Sequence, residues 1–316
     1  MTRRGFALMA ALWLLVAIST VSLELSALAR GRRLAVVNAL ESARATAAAE
    51  SGIEHARARL VRMTDEGGAG KSWSDPLSVL DPWHDAGAAI HDSVTMDDGA
   101  TYRTHVSDLG AMLNVNRVTE DELRAFLTAE AIDAVSVDGL AQAILDWRDL
   151  DDSRRLRGAE RDDYIKASAR EVPRNGPFES IDELRFVRGM TPAIFSKIRG
   201  ELTVLGTGQV NINVAGPAVL ASIPGITSLA VEIIGHTRRR GRRIENVRQL
   251  MDLLPTQARA PLDHALVGAL QRMAFDTHEL LVRSDGWLAG SPVRVHEEAV
   301  IARGGNAAFV TWRRID

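Results

Sequence analysis

Along this chain the spacing of hydrophobic positions changes three times. From Phe6 to Leu23 no residue is charged, and the run is apolar to neutral throughout. Eighteen residues at about 1.5 Å each span roughly 27 Å, close to a bilayer core. From Ala35 to Arg62 the sequence is alanine-rich and free of proline, with apolar residues three and four apart at Ala39, Ala43, Ala47, Ile53, Ala56 and Leu60. That spacing predicts the same helix continuing as an amphipathic stalk. It should stop near Asp65, ahead of Gly67, Gly68 and Gly70. Residues 71–92, with Pro76 and Pro82, have no period and read as loop.

A hairpin follows. Val94 and Met96 lead into Asp98-Gly99, a favoured two-residue turn, and Tyr102, Thr104 and Val106 alternate after it. From Val118 the period becomes helical. Thr119 with Glu122 and Ser180 with Glu183 form capping boxes, and Pro192 and Pro217 stand at first helical positions. Helices are predicted at about 120–130, 137–148, 181–187, 192–200, 217–223, 228–239 and 246–254. Strand character returns in His278–Arg283, Val293–Ala302 and Ala308–Ile315, with Gly304-Gly305-Asn306 as the last turn. Hairpin, helices, then strands imply one sheet carrying a helical insertion.

Composition narrows the functional classes. With 46% hydrophobic and 25% charged residues the 316-residue chain can build a core, and a net charge of −3 gives no overall attraction to nucleic acid. The absence of cysteine removes disulfides, thiolate metal sites and cysteine nucleophiles. A basic start and an apolar run also fit a cleaved signal peptide, with Ala27-Leu28-Ala29 as a small-x-small site. A helix that continues for a further thirty or so residues argues for an anchored stalk instead.

Several stretches invite a chemical reading. Gly70-Lys71-Ser72 lacks the earlier glycine of a phosphate loop, since Asp65 stands there. The eight histidines show no metal-ligand spacing, and no nucleophile–base pair stands out, so no enzyme is indicated. Asp146, Asp149, Asp151, Asp152, Glu160, Asp162 and Asp163 crowd together after a helix, as a hard cation with oxygen ligands would require. Arg148, Arg154, Arg155, Arg157 and Arg161 interleave with them, as in a solvated salt-bridge surface. Both readings stay open. Residues 181–198 and 219–234 mimic helix-hairpin-helix DNA-binding modules, and Arg238-Arg239-Arg240-Gly241-Arg242-Arg243 is basic, but Thr191 and Thr227 replace the usual second glycines.

Arg3-Arg4-Gly5-Phe6 ahead of the apolar helix resembles the processing site of type IV pilin-like proteins. Further on, Leu113-Asn114-Val115-Asn116, Asp146-Trp147-Arg148-Asp149-Leu150-Asp151-Asp152, Gly158-Ala159-Glu160, Asn175-Gly176-Pro177-Phe178, Asp182-Glu183-Leu184 and Asn211-Ile212-Asn213-Val214 occur in order. Together they resemble the K-type minor pseudopilin of type II secretion systems. Ile165 and Val214-Ala215-Gly216-Pro217 depart from the family pattern.

The resemblance implies an α+β fold, in which a long pilin-like N-terminal helix packs on an antiparallel sheet interrupted by a large all-helical insert. It divides the chain into a leader (1–5), a transmembrane part of the helix (6–29) and a periplasmic part (30–66). The first part of the pilin-like domain (67–112), the insert (113–275) and the C-terminal strands (276–316) follow. It implies cleavage by a prepilin peptidase between Gly5 and Phe6, methylation of the new terminus, and a single-pass inner-membrane protein with its C-terminal domain in the periplasm. The partners implied are the I-type and J-type minor pseudopilins, in a non-enzymatic structural role at the tip of the pseudopilus. Calcium is associated with the insert, and Asp149, Asp151, Asp152, Glu160, Asp162 and Asp163 are the ligands to expect. Ala10 occupies the fifth mature position, where pilin-like subunits that pack along the shaft carry a glutamate. The alternative of another class is a membrane-anchored helix-hairpin-helix DNA-binding protein.

Overall fold

The computed structural model describes residues 3–68, 93–304 and 307–315, with only the backbone at 3–8, 10 and 63–68. The predicted loop at 71–92 and the Gly305-Asn306 turn lie outside the described residues. One helix, α1 (Arg3–Gly68), carries both N-terminal segments without a break. Its most apolar window has a mean hydropathy of 1.9 and is not covered by the rest of the protein. Side chains from Leu12 to Leu40 stand exposed, and burial begins at Ala45.

Five antiparallel strands form the sheet: β1 (Ser93–Thr95), β2 (Ala100–Asp108), β7 (Glu279–Leu288), β8 (Arg294–Gly304) and β9 (Ala307–Ile315). Their order is β1-β2-β7-β8-β9, so the pairing of β2 with β7 spans the whole insert. Alternation along the strands sets the two faces. Val106, Leu280, Val282, Ala299 and Ile301 face Ile53, Ala56 and Leu60 of α1, while Leu281 and Val300 face Leu109. Helix and sheet approach closely because two glycines leave room. At Gly286 a Cβ would overlap the Ala45 carbonyl and come within 2.6 Å of the Ala49 amide. At Gly52 it would overlap Ser284 Oγ.

Between β2 and β7 the chain builds one arrangement twice. In the first half β3 (Leu113–Asn114) pairs in parallel with β4 (Leu202–Thr203), and in the second β5 (Val210–Asn211) pairs with β6 (Met273–Ala274). Each half opens with two asparagines. Asn116 N–H donates to Asn114 Oδ1 at 2.9 Å, and Asn213 N–H to Asn211 Oδ1 at 3.0 Å. The second asparagine then clasps a distant strap: Asn116 exchanges two bonds with the Phe178 backbone, at 2.9 and 2.8 Å. Asn213 does the same with Ile244, at 2.8 and 2.9 Å. Helices α2 (Glu120–Ala129) and α3 (Ala134–Arg148) of the first half correspond to α6 (Pro217–Ala221) and α7 (Ser228–Arg239) of the second. Arg148 and Arg238, at the ends of α3 and α7, both donate to carbonyls of the opening strap.

Other helices are α4 (Arg161–Lys166), α5 (Pro192–Ile198), α8 (Val247–Leu253), α9 (Thr256–His264) and α10 (Leu266–Arg272). The capping boxes at Thr119 and Ser180 form, although the helix after Ser180 is a 3-10 turn (Ile181–Phe186). One core, including Phe126, Leu140, Ile144, Leu184, Ile198, Ile212, Leu250 and Leu262, serves both halves. Arg272 pairs with buried Glu122 at 2.7 Å and ties the second half to the first. The insert is helical except for the two short parallel pairs, which its sequence pattern did not announce.

Candidate metal centre

The two halves differ most between the last helix and the clasped strap. In the second half residues 240–243 bridge that gap; in the first, residues 149–177 do, and they contain most of the acidic run. This long loop is tied down on several sides. Trp147, in the last turn of α3, stacks on Phe178 with ring centroids 6.4 Å apart and meets the edge of Tyr164 at 5.3 Å. Gln142 Oε1 accepts the Arg157 N–H at 2.7 Å, Tyr164 Oη accepts the Arg188 N–H at 2.9 Å, and Arg188 Nη2 donates to the Gly158 carbonyl at 2.6 Å. Gly158 itself lies against Asp146, where any Cβ would overlap Oδ2. Burial drives the pKa of Arg148 down to about 10.

The folded loop brings Glu160 back over the end of α3. Oxygens of Asp146, Asp149 and Glu160 lie within 4.8 Å of one another. Asp146 is fully buried and Glu160 is 5% exposed. Arg155 Nη1 donates to Asp146 Oδ1 and to Asp149 Oδ2, each at 2.5 Å. Three buried oxygens remain without a partner: Asp149 Oδ1 and both carboxylate oxygens of Glu160. Burial raises the Asp146 carboxyl above the usual range against the pull of Arg155. Burial, reinforced by Asp146 and Asp149, pushes Glu160 up to about 7. An unpaired buried carboxylate is costly. Orphaned oxygens of Asp149 and Glu160 converging with the Asp146 carboxylate fit a hard divalent cation, with backbone carbonyls or water completing six to eight ligands.

Of the six residues expected as ligands, the structure brings Asp149 and Glu160 into this cluster. It places the other four elsewhere. Asp151 accepts the Ser153 N–H at 2.7 Å, which holds its carboxyl below the usual range. Asp152 accepts from Asn175 Nδ2 at 2.8 Å. Asp163 caps α4 by accepting the Glu160 N–H at 3.1 Å and pairs with Arg154 at 3.3 Å. Asp162 points outward from the first turn of α4. Asp146 replaces them. It belonged to the acidic run, and its spacing of three from Asp149 is the signal that puts both at one helix end.

The remaining sequence candidates fall as follows. Gly5, Phe6 and Ala10 lie in the first turns of α1. Lys71 and Ser72 are outside the described residues. The two hairpins do form, with positive φ at Gly189 (+87°) and Gly225 (+78°), and Thr191 and Thr227 cap the next helices. The second hairpin has no free face for a phosphate: a Cβ at Gly225 would meet the Pro261 carbonyl at 2.6 Å. In the basic turn, Arg238 and Arg243 are engaged with the carbonyls of Ala215 and Phe275.

Comparison with known proteins agrees with this architecture. The family described as Type II secretion system (T2SS), protein K, matches residues 103–207, which run from β2 to the end of the first half of the insert. A Type II secretion system protein K of Klebsiella pneumoniae is 27% identical over 226 residues, covering 66% of this chain. The match spans 62% of that relative's length. A chain in the crystal structure of the GspK-GspI-GspJ complex from the enterotoxigenic Escherichia coli Type 2 Secretion System superposes with a TM-score of 0.65 at 17% identity. It covers 89% of this chain and 99% of that one, which establishes the shared α+β fold.

Proposed function

We propose that the chain is a member of the type II secretion system protein K family and that it is a minor pseudopilin. In this reading it is a structural subunit that works at the tip of the pseudopilus in the export of folded proteins, and it carries out no catalysis. The observation that carries this reading is the division of α1. Its first half exposes apolar side chains on all sides, among them Leu12, Trp13, Leu15, Ile18, Val21 and Leu25, and its second half buries Ala45, Ala49, Ile53 and Leu60 on the sheet. An apolar surface that the protein leaves uncovered suits a single-pass inner-membrane anchor, with the sheet and insert in the periplasm.

Between the two halves, Leu34, Val36, Val37 and Leu40 are also exposed. These are the residues we assign to contact with the I-type and J-type minor pseudopilins, within the helix at 34–62. The bulk of residues 113–275 on one end of the sheet supports a terminal position, where no subunit stacks above. Ala10 supports it as well, because a subunit with no neighbour ahead has no terminal amine to neutralise a buried glutamate. Prepilin peptidase would cleave after Gly5 and leave a methylated Phe6. Calcium would be held by Asp146, Asp149 and Glu160, and its charge would stabilise the long loop of the first half.

Terminal sequencing of the mature protein tests the anchor, with Phe6 expected first; any other terminus rejects the processing step. Cross-linking in assembled fibres tests position. We expect one copy, bonded through residues 34–40 to other minor subunits, and regular recovery along the shaft would reject the tip assignment.

A further inference from the structure

The acidic cluster already contains a cation of its own. The Arg155 guanidinium reaches Asp146 and Asp149 through a single nitrogen, Nη1, at 2.5 Å each. The Arg155 N–H also donates to Asp146 Oδ2 at 3.3 Å, so the loop is anchored to the carboxylate that its side chain neutralises. One guanidinium faces three carboxylates, and it leaves Asp149 Oδ1 and both Glu160 oxygens unpartnered although they are buried. A divalent ion among oxygens that lie within 4.8 Å of one another would engage all three groups, and it needs the space that Nη1 fills. The Arg155 side chain is 34% exposed, so it has a route to water. Arg154 pairs with Asp163 outside the cluster and is not in the way.

The geometry points to Arg155 as an internal competitor for the metal seat. Its guanidinium holds Asp146 and Asp149 together when no ion is bound, and it swings out when a divalent cation enters. Arg155 thereby sets the affinity of the site and keeps the loop closed when the ion is absent, a role the ion takes over once bound. This inference rests on the calcium reading above.

The test is a calorimetric titration of the detergent-solubilised full chain with calcium chloride, paired with thermal melts in chelator. Arg155→Gln removes the competitor, so calcium should bind roughly tenfold tighter, the scale of the charged hydrogen bonds that no longer have to be broken. In chelator the same variant should melt lower than wild type. Arg155→Lys keeps the charge without the rigid fork, and it should show a smaller gain in the same direction; it decides the matter if Arg155→Gln does not fold. If wild type binds calcium and the variants bind equally or more weakly, the competitor role is overturned and the calcium reading stands. If wild type and variants alike bind none, the calcium reading itself falls and Arg155 is only a structural bridge. Binding by Arg155→Gln alone would be the strongest support, since the competitor would then dominate.

Discussion

Glu160→Gln separates the metal-free and metal-bound forms of the acidic cluster. Without an ion, burial and the neighbouring Asp146 and Asp149 raise the Glu160 carboxyl from 4.5 to about 7. A carboxyl whose pKa is higher in the fold than in the unfolded chain contributes stability below the unfolded value, and that contribution is lost as pH rises through the folded value. From pH 4.5 to pH 7 and above, the metal-free protein therefore loses up to about 3 kcal/mol through this one group. Glutamine is nearly isosteric and neutral, so in chelator at pH 8 the variant should melt higher than wild type, by roughly 5 °C for a chain of this size. At pH 4.5 the two should coincide. Calcium should reverse the order: wild type gains about 4.1 kcal/mol at an ion concentration about one thousand times the dissociation constant, more than the deficit, and the variant gains little. Differential scanning calorimetry at both pH values, with chelator and with calcium, measures all four quantities. A variant that is less stable than wild type in chelator at pH 8, or that calcium stabilises equally, would refute the reasoning.

Three further outcomes follow from contacts elsewhere in the fold. Gly286→Ala places a methyl group against the α1 backbone at Ala45 and Ala49, so separation of helix and sheet should cost about 1–3 kcal/mol in a denaturant titration; a loss below 0.5 kcal/mol would show that α1 shifts freely. Asn213→Ala removes the two bonds to Ile244 and one to Phe275, for about 2–4 kcal/mol in total. Hydrogen exchange at the Ile244 amide should accelerate more than exchange at the Phe178 amide of the first half. Glu297 is fully buried opposite Ser284, and burial raises its carboxyl against the pull of Arg313, with Glu50 and Glu54 adding to the rise. Its contribution is present below its unfolded pKa of about 4.5 and fades above it. Glu297→Gln should therefore flatten the decline of melting temperature as pH rises above 4.5, and an unchanged slope would count against this account.

Local patterns made much of the chain legible. The uncharged run to Leu23 and the Ala39–Leu60 spacing specify α1, because helical periodicity and the lack of proline are properties of the segment itself. Asp98-Gly99, the Thr119 and Ser180 caps and the first-turn prolines likewise act within a few residues, and each marks a turn or helix start in the structure. Enrichment in valine, isoleucine and aromatic residues announced the C-terminal strands, although β7 runs on to Leu288, past the predicted Arg283, where Gly286 admits α1.

Other features depend on distant partners. Strands of two residues, such as Leu113–Asn114 and Leu202–Thr203, have no period to read and exist only because the two segments meet in parallel. Helices α4, α9 and α10 are too short or too polar to stand out, and Pro261 lies inside α9. The repetition within the insert could have been suspected from Leu113-Asn114-Val115-Asn116 and Val210-Asn211-Ile212-Asn213. Its meaning, an asparagine clasp on Phe178 and on Ile244, appears only when chain some thirty to sixty residues away folds back. The metal centre shows the same division. Sequence alone located the acidic run, since charge density is a local property. Which carboxylates converge was decided by the path of the loop, because Gly158 lets the backbone pass against Asp146 and Arg188 holds it there, leaving Glu160 aimed inward and Asp151, Asp152, Asp162 and Asp163 facing other partners or water.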